Sequence, residues 1–164
     1  FYLAMSQPNI LITGTPGTGK TTTAESVAQN TGLKHIELSQ LIKDRELYSE
    51  YDEEYKSYVM DDDKVCDELE PIMQQKGVVV DYHGSDFFPE RWFDLVVVLR
   101  TDNTILYDRL KARGYHDKKI TENVECEIMQ VLLEEAKESY REEIIWEFQS
   151  DNSQQLLDNV QKIE

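Results

Sequence analysis

The segment Gly14-Thr15-Pro16-Gly17-Thr18-Gly19-Lys20-Thr21-Thr22 carries the most specific chemistry in this chain. Gly14, Gly19, Lys20 and Thr21 meet the spacing G-x-x-x-x-G-K-[ST] of a phosphate-binding loop, provided a buried strand precedes it and a helix follows. Glycines such as Gly17 and Gly19 let backbone N–H groups face the β- and γ-phosphates of a nucleotide, and the following helix adds its positive end. Lys20 brings a point charge to the phosphate oxygens, and the Thr21 hydroxyl can ligate Mg²⁺. A turn that merely joined strand to helix would need neither the lysine nor the hydroxyl.

Such a loop works with a carboxylate near the metal, at the end of a neighbouring strand. Asp81 closes the run Val78-Val79-Val80-Asp81 and is the candidate, with Thr21, for holding Mg²⁺; its alternative role is an ordinary strand-end cap. His83 lies two residues further on, where it could orient water or support the metal's ligands, or serve the structure alone. Arg109 and Arg113 are four residues apart, so one helix would place them on one face, and their planar charged forks suit a transferred phosphate. A solvated helix face is the competing reading, because Asp108 and Lys111 are close by.

These residues need elements to position them. The apolar run Asn9-Ile10-Leu11-Ile12-Thr13 reads as a strand buried on both faces, followed by a helix over 20–30 that Gly32 ends. A short strand near 35–38, a helix opened by Ser39, a helix over 64–75 and buried strands at 78–81 and 95–99 come next. Asp102 or Asn103 can cap a helix that runs to Arg113. One long helix is predicted over 122–141, with Val124, Ile128, Leu132, Ala136 and Tyr140 on one stripe. A last strand over 145–149 and a helix over 154–163 complete a single domain across 1–164. Strands alternating with helices imply a parallel sheet covered on both faces. Tyr48, Tyr51, Tyr55 and Tyr58 recur at spacings that a helix would align on one face, more as core packing than as a platform for a base.

At 164 residues and 40% hydrophobic content the chain suits one compact core. Its 33 acidic and 17 basic side chains leave a net charge of -16, which opposes direct, sequence-independent binding to nucleic acid. The same charge fits no membrane surface, and no apolar run approaches the roughly 20 residues of a spanning helix. Cys66 and Cys126 stand far apart in no metal-ligand spacing, which favours a reducing, intracellular setting. The opening Phe1-Tyr2-Leu3-Ala4-Met5 is too short, and too poor in basic residues, to read as a signal peptide.

Taken together, the loop through Thr22, the segment Val80-Asp81-Tyr82-His83-Gly84-Ser85-Asp86-Phe87-Phe88-Pro89-Glu90-Arg91 and the segment Leu110-Lys111-Ala112-Arg113-Gly114-Tyr115 closely resemble the adenylate kinase isoenzyme six family. That family is also described as the coilin-interacting nuclear ATPase and, in yeast, as a small-subunit ribosome assembly factor. The resemblance runs from about Pro8 to Glu164. It implies a five-stranded parallel P-loop core with helices on both faces, a mobile AMP-binding segment over about 37–60 and a short lid over about 112–122. It implies adenylate kinase and ATPase activities on ATP and AMP, with Mg²⁺ and with Asp81 and His83 as the functional pair after the strand. Gly17, Gly19, Lys20, Thr21, Thr22 and Arg113 would hold ATP, and Lys20, Asp81, His83, Arg109 and Arg113 would serve the transfer. Lys43 falls where typical adenylate kinases carry an arginine for the AMP phosphate. A nuclear and cytoplasmic protein that contacts a basic small-subunit ribosomal protein is the further implication, and the acidic charge suits such a partner.

Other P-loop chemistries compete. A regulatory GTPase predicts an Asn-Lys-x-Asp motif, which the chain lacks. A sugar or shikimate-like kinase would keep the same core and differ in the acceptor segment. An assembly factor controlled by ATP would show hydrolysis stimulated by its partner.

Overall fold

The computed structural model describes residues 7–54 and 57–163. The apolar opening over residues 1–5 and Tyr55 lie outside them, as does the side chain of Tyr58. Five parallel strands form the central sheet in the order β2 (Lys34–Glu37), β5 (Val78–Asp81), β1 (Ile10–Gly14), β6 (Leu95–Arg100) and β7 (Ile145–Gln149). The β1 run is buried throughout, and its side chains alternate between two cores. Leu11, Val80, Val96 and Val98 face α3 (Asp62–Gln75) and α6 (Val131–Ser139), whose Val65, Leu69, Met73, Leu133 and Ala136 fill that side. Ile10, Ile12, Val79, Val97 and Leu99 face α1 (Lys20–Thr31) and α7 (Ser153–Ile163). The period-2 geometry of a strand therefore explains why these runs are apolar without alternation.

The remaining elements are α2 (Leu38–Asp44), β3 (Tyr48–Asp52), β4 (Ser57–Met60), α4 (Asn103–Ala112) and α5 (Asp117–Ile128). The Asp102 side chain accepts from the N–H groups of Thr104 and Ile105 and so caps α4. Leu106 and Leu110 of α4 and Ile120 of α5 bury a third, smaller core.

Two expectations fail. Residues 48–60 are an antiparallel hairpin of β3 and β4, in which Tyr51 pairs with Tyr58. A register shift between Tyr48 and Glu50 interrupts the strand, and the two tyrosines differ in surroundings: Tyr48 packs against the main core and Tyr51 is 42% exposed. The helix over 122–141 is in fact two, α5 and α6, broken at Gln130, whose φ is 57°. A fourfold spacing drifts about 40° per step on a helix of 3.6 residues per turn, so the proposed stripe could not keep one face over 16 residues. The break resolves the conflict: Ile120 and Val124 pack toward α4, while Leu133, Ala136 and Tyr140 enter the main core. Ile128, in the middle of the supposed stripe, is 54% exposed.

Candidate nucleotide-binding and phosphoryl-transfer site

Strand β1 lies at the centre of the sheet, with β5 on one side and β6 on the other, so the loop that follows it opens into the crevice where the strand order reverses. Gly19 stands at the N-cap of α1 with φ 90° and places no side chain on the first N–H groups of that helix. Those donors face the crevice, with the positive end of the helix dipole behind them. Gly17, at φ 96°, lets the loop lie close against α4; a Cβ there would fall 2.8 Å from Leu106 Cδ1.

Lys20 folds back over the loop, with Nζ 3.4 Å from the Thr15 carbonyl. Burial pulls its pKa down to about 8, and Arg113 pulls the same way, against the opposing charges of Asp81 and Glu127. The Thr21 hydroxyl donates to Asp81 Oδ1 at 3.1 Å, so the hydroxyl and the carboxylate that were predicted 60 residues apart meet. Two oxygen donors of this kind suit Mg²⁺, which keeps several waters and binds through a few protein oxygens plus substrate phosphates. Among the described residues, no group of three or more His, Cys, Asp or Glu forms a metal site of its own.

On the far side of Asp81, His35 Nε2 sits 2.5 Å from Oδ2. That contact raises the His35 pKa despite partial burial. Nothing in the sequence singled out His35; the pairing of β2 with β5, Glu37 opposite Asp81, brings it there.

Two cavities meet at the loop. One, of about 600 Å³, is lined by Gly17, Gly19, Thr22, Arg109, Arg113 and the 150–153 turn. The other, of about 930 Å³, takes in Lys20, Thr21, Glu37, Ser39, Asp81, His83, Arg113, Lys119, Asn123 and Glu135. Both volumes suit nucleotide-sized ligands. Gly17, Gly19 and Arg113 belong to both walls, whereas Thr22 faces the first and Thr21 the second. Lys43 lines a small recess beside His83.

His83 stacks its ring 4.2 Å from that of Tyr82. The surrounding protein holds its pKa down at about 4, and Lys20 and Lys119 push in the same direction. Its surface is open to the cleft, which weakens the burial contribution; the two cations still favour the neutral imidazole.

Both arginines line the first cavity but take different places. Arg109 donates to the carbonyls of Gly17 at 3.1 Å, Ser150 at 3.0 Å and Asp151 at 2.9 Å, and so binds the loop to the turn after β7. Arg113, the C-cap of α4, stands where the two cavities join. Sequence reasoning also missed Glu127, a carboxylate only 2% exposed, and Ser150, whose hydroxyl donates to the Thr18 carbonyl at 2.7 Å.

A family model described as an AAA domain matches residues 10–130. The Adenylate kinase isoenzyme 6 homolog of Dictyostelium discoideum is 56% identical over 145 residues, covering 88% of this chain and 83% of that protein. The Caenorhabditis elegans homolog of the same description is 50% identical over 159 residues, covering 96% and 87%. The chain belongs to the adenylate kinase isoenzyme 6 family. FAP7 of Saccharomyces cerevisiae, another homolog of that isoenzyme, is 48% identical over 157 residues, with 95% of this chain and 80% of that protein covered. A shikimate kinase from Bacteroides thetaiotaomicron superposes with a TM-score of 0.66 at 20% identity over 95% of both chains, a likeness of fold. A member of the isoenzyme 6 family on this P-loop kinase fold is a protein of the nucleotide kinase and ATPase class.

Proposed function

We propose that this protein transfers the γ-phosphate of ATP to AMP and hydrolyses ATP at the same site. The observation that carries the reading is the pair of cavities joined at the loop, one lined by Thr22, the other by Thr21 and Asp81, with Arg113 at their junction. A donor nucleotide in the first and a monophosphate in the second would meet end to end beside Lys20, as in-line transfer requires.

In this reading the loop N–H groups and Lys20 bind the β- and γ-phosphates and stabilise charge as it spreads in the transition state. Arg113 holds the transferred group, while Arg109 keeps the loop against the 150–153 turn. Thr21 and Asp81 would hold Mg²⁺, which offsets phosphate charge when bound.

Hydrolysis as the main activity is the second reading, and His83 favours it. A neutral imidazole at the open side of the acceptor cavity can accept a hydrogen bond from water when no monophosphate fills the space. An assembly role, with ATP turnover altering the grip on a basic small-subunit ribosomal protein in nucleus and cytoplasm, rests on the family resemblance and on the net charge of -16. Initial rates separate the readings: ATP alone, ATP with AMP, dAMP or CMP, and ATP with the basic protein. Transfer to AMP well above hydrolysis supports the kinase. Hydrolysis stimulated by the basic protein, with little transfer, would displace it.

A further inference from the structure

Glu127 is buried in an unfavourable place. It sits in the last turn of α5, where the negative end of the helix dipole meets its own charge, and burial removes it from water. Only strong partners make such a placement stable, and Glu127 has donors from two other segments. Arg100 Nε donates to Oε2 at 2.7 Å, and the Thr101 N–H donates to the same oxygen at 2.9 Å. Arg100 also donates from Nη2 to the Glu127 carbonyl at 2.9 Å, closing the end of the helix onto β6. Those bonds account for one carboxylate oxygen. The other, Oε1, accepts from the hydroxyl of Thr15, inside the phosphate-binding loop, at 2.8 Å.

Thr15 in turn organises the loop. Its carbonyl accepts from the Thr18 N–H at 3.2 Å, the Thr18 hydroxyl at 2.8 Å and Lys20 Nζ at 3.4 Å. The path from Glu127 to the phosphate-binding lysine thus runs through Thr15 alone. The helix that presents Glu127 also presents Lys119 and Asn123 to the larger cavity. We infer that Glu127 is a positioning residue: through the Thr15 hydroxyl it sets the loop for ATP and ties that setting to α5, the helix that walls the acceptor side. The inference rests on the reading that the loop holds ATP.

The test measures equilibrium binding of a fluorescent ATP analogue with Mg²⁺, without acceptor, so it stays informative even if AMP proves not to be phosphorylated. Thr15→Ala leaves the Glu127 to Arg100 pair in place and should weaken binding about tenfold, the value of one hydrogen bond to a charged acceptor. Thr15→Ser, which keeps the hydroxyl, should restore the wild-type affinity. Glu127→Gln conserves shape but cannot accept on both sides, so it should weaken binding too, and adding Thr15→Ala to it should cost little more. Melting temperatures of the same samples without nucleotide report folding; a structural role alone would lower them and leave affinity of the folded protein unchanged. Wild-type affinity in Thr15→Ala, failure of Thr15→Ser to restore it, or fully additive effects in the double variant would each overturn the inference. A wild-type protein that bound no ATP would instead overturn the nucleotide reading beneath it.

Discussion

The two sides of the loop were built by different rules. On the sheet side, β1, β5 and β6 place Thr21 and Asp81 in contact, and every one of those elements lies where hydrophobic pattern and glycine spacing put it. On the covering side, α4, α5 and α6 line the two cavities, and there the single helix expected over 122–141 is two, while residues 48–60 beyond the cavities form a hairpin. A central parallel strand is buried on both faces, so composition alone identifies it; a covering element packs on one neighbour, and its direction depends on where that neighbour lies.

The largest expected effect belongs to the sheet side. Lys20→Ala should lower phosphoryl transfer on the order of a hundredfold or more, with the fold intact, because it removes a preorganised charge from the transition state. Near-normal turnover in a folded variant would break the assignment of the loop.

His83 lies between the two regions. His83→Ala should depress ATP hydrolysis strongly, and AMP phosphorylation to a smaller extent through the changed wall of the larger cavity. If both rates survive in folded protein, the histidine is structural and the acceptor cavity needs no group to orient water.

The arginines sharpen the comparison on the covering side. Arg113→Ala should reduce kcat at saturating ATP and AMP, whereas Arg109→Ala should chiefly lower thermal stability and ATP affinity, since it removes a donor from the carbonyls of Gly17, Ser150 and Asp151. An effect of Arg113→Ala on kcat as small as that of Arg109→Ala would place Arg113 on a solvated helix face.

A pH series tests the surroundings of Lys20. With its pKa drawn down to about 8, the ammonium is charged below that pH and lost above it. ATP affinity should therefore decline as pH rises from 7 to 9, well before an ordinary lysine would titrate. An affinity flat over that interval would show that the bound phosphates hold the proton throughout.

The smallest effect concerns the helix break. Gln130 adopts a left-handed conformation that costs an L-residue about 1 kcal/mol, so Gln130→Gly should leave stability unchanged or raise the melting temperature by about 2 °C. A clear loss of stability would mean that the Gln130 side chain, not the backbone turn, is what joins α5 to α6.

Much of the fold was legible because its signals are local. The strand at 95–100, the cap at Asp102 and the helix stop at Gly32 each follow from a few adjacent residues. The candidate site was legible only as far as its motifs. Lys20, Thr21, Asp81 and His83 stood out by type and spacing, but His35, Glu127 and Ser150 are ordinary residues in the chain. His35 reaches Asp81 only through strand pairing, and Glu127 reaches Thr15 across 112 residues.

By itself, then, the sequence determined the alternation of strands and helices, the phosphate-binding loop and the family to which the chain belongs, since each depends on residue type at short range. The tertiary structure alone decided where Arg109 points, which carboxylate supports the loop and where the covering helix bends. Those outcomes depend on which distant donors and apolar faces become neighbours, and a buried charge or a one-sided helix accepts only the position in which its partners are waiting.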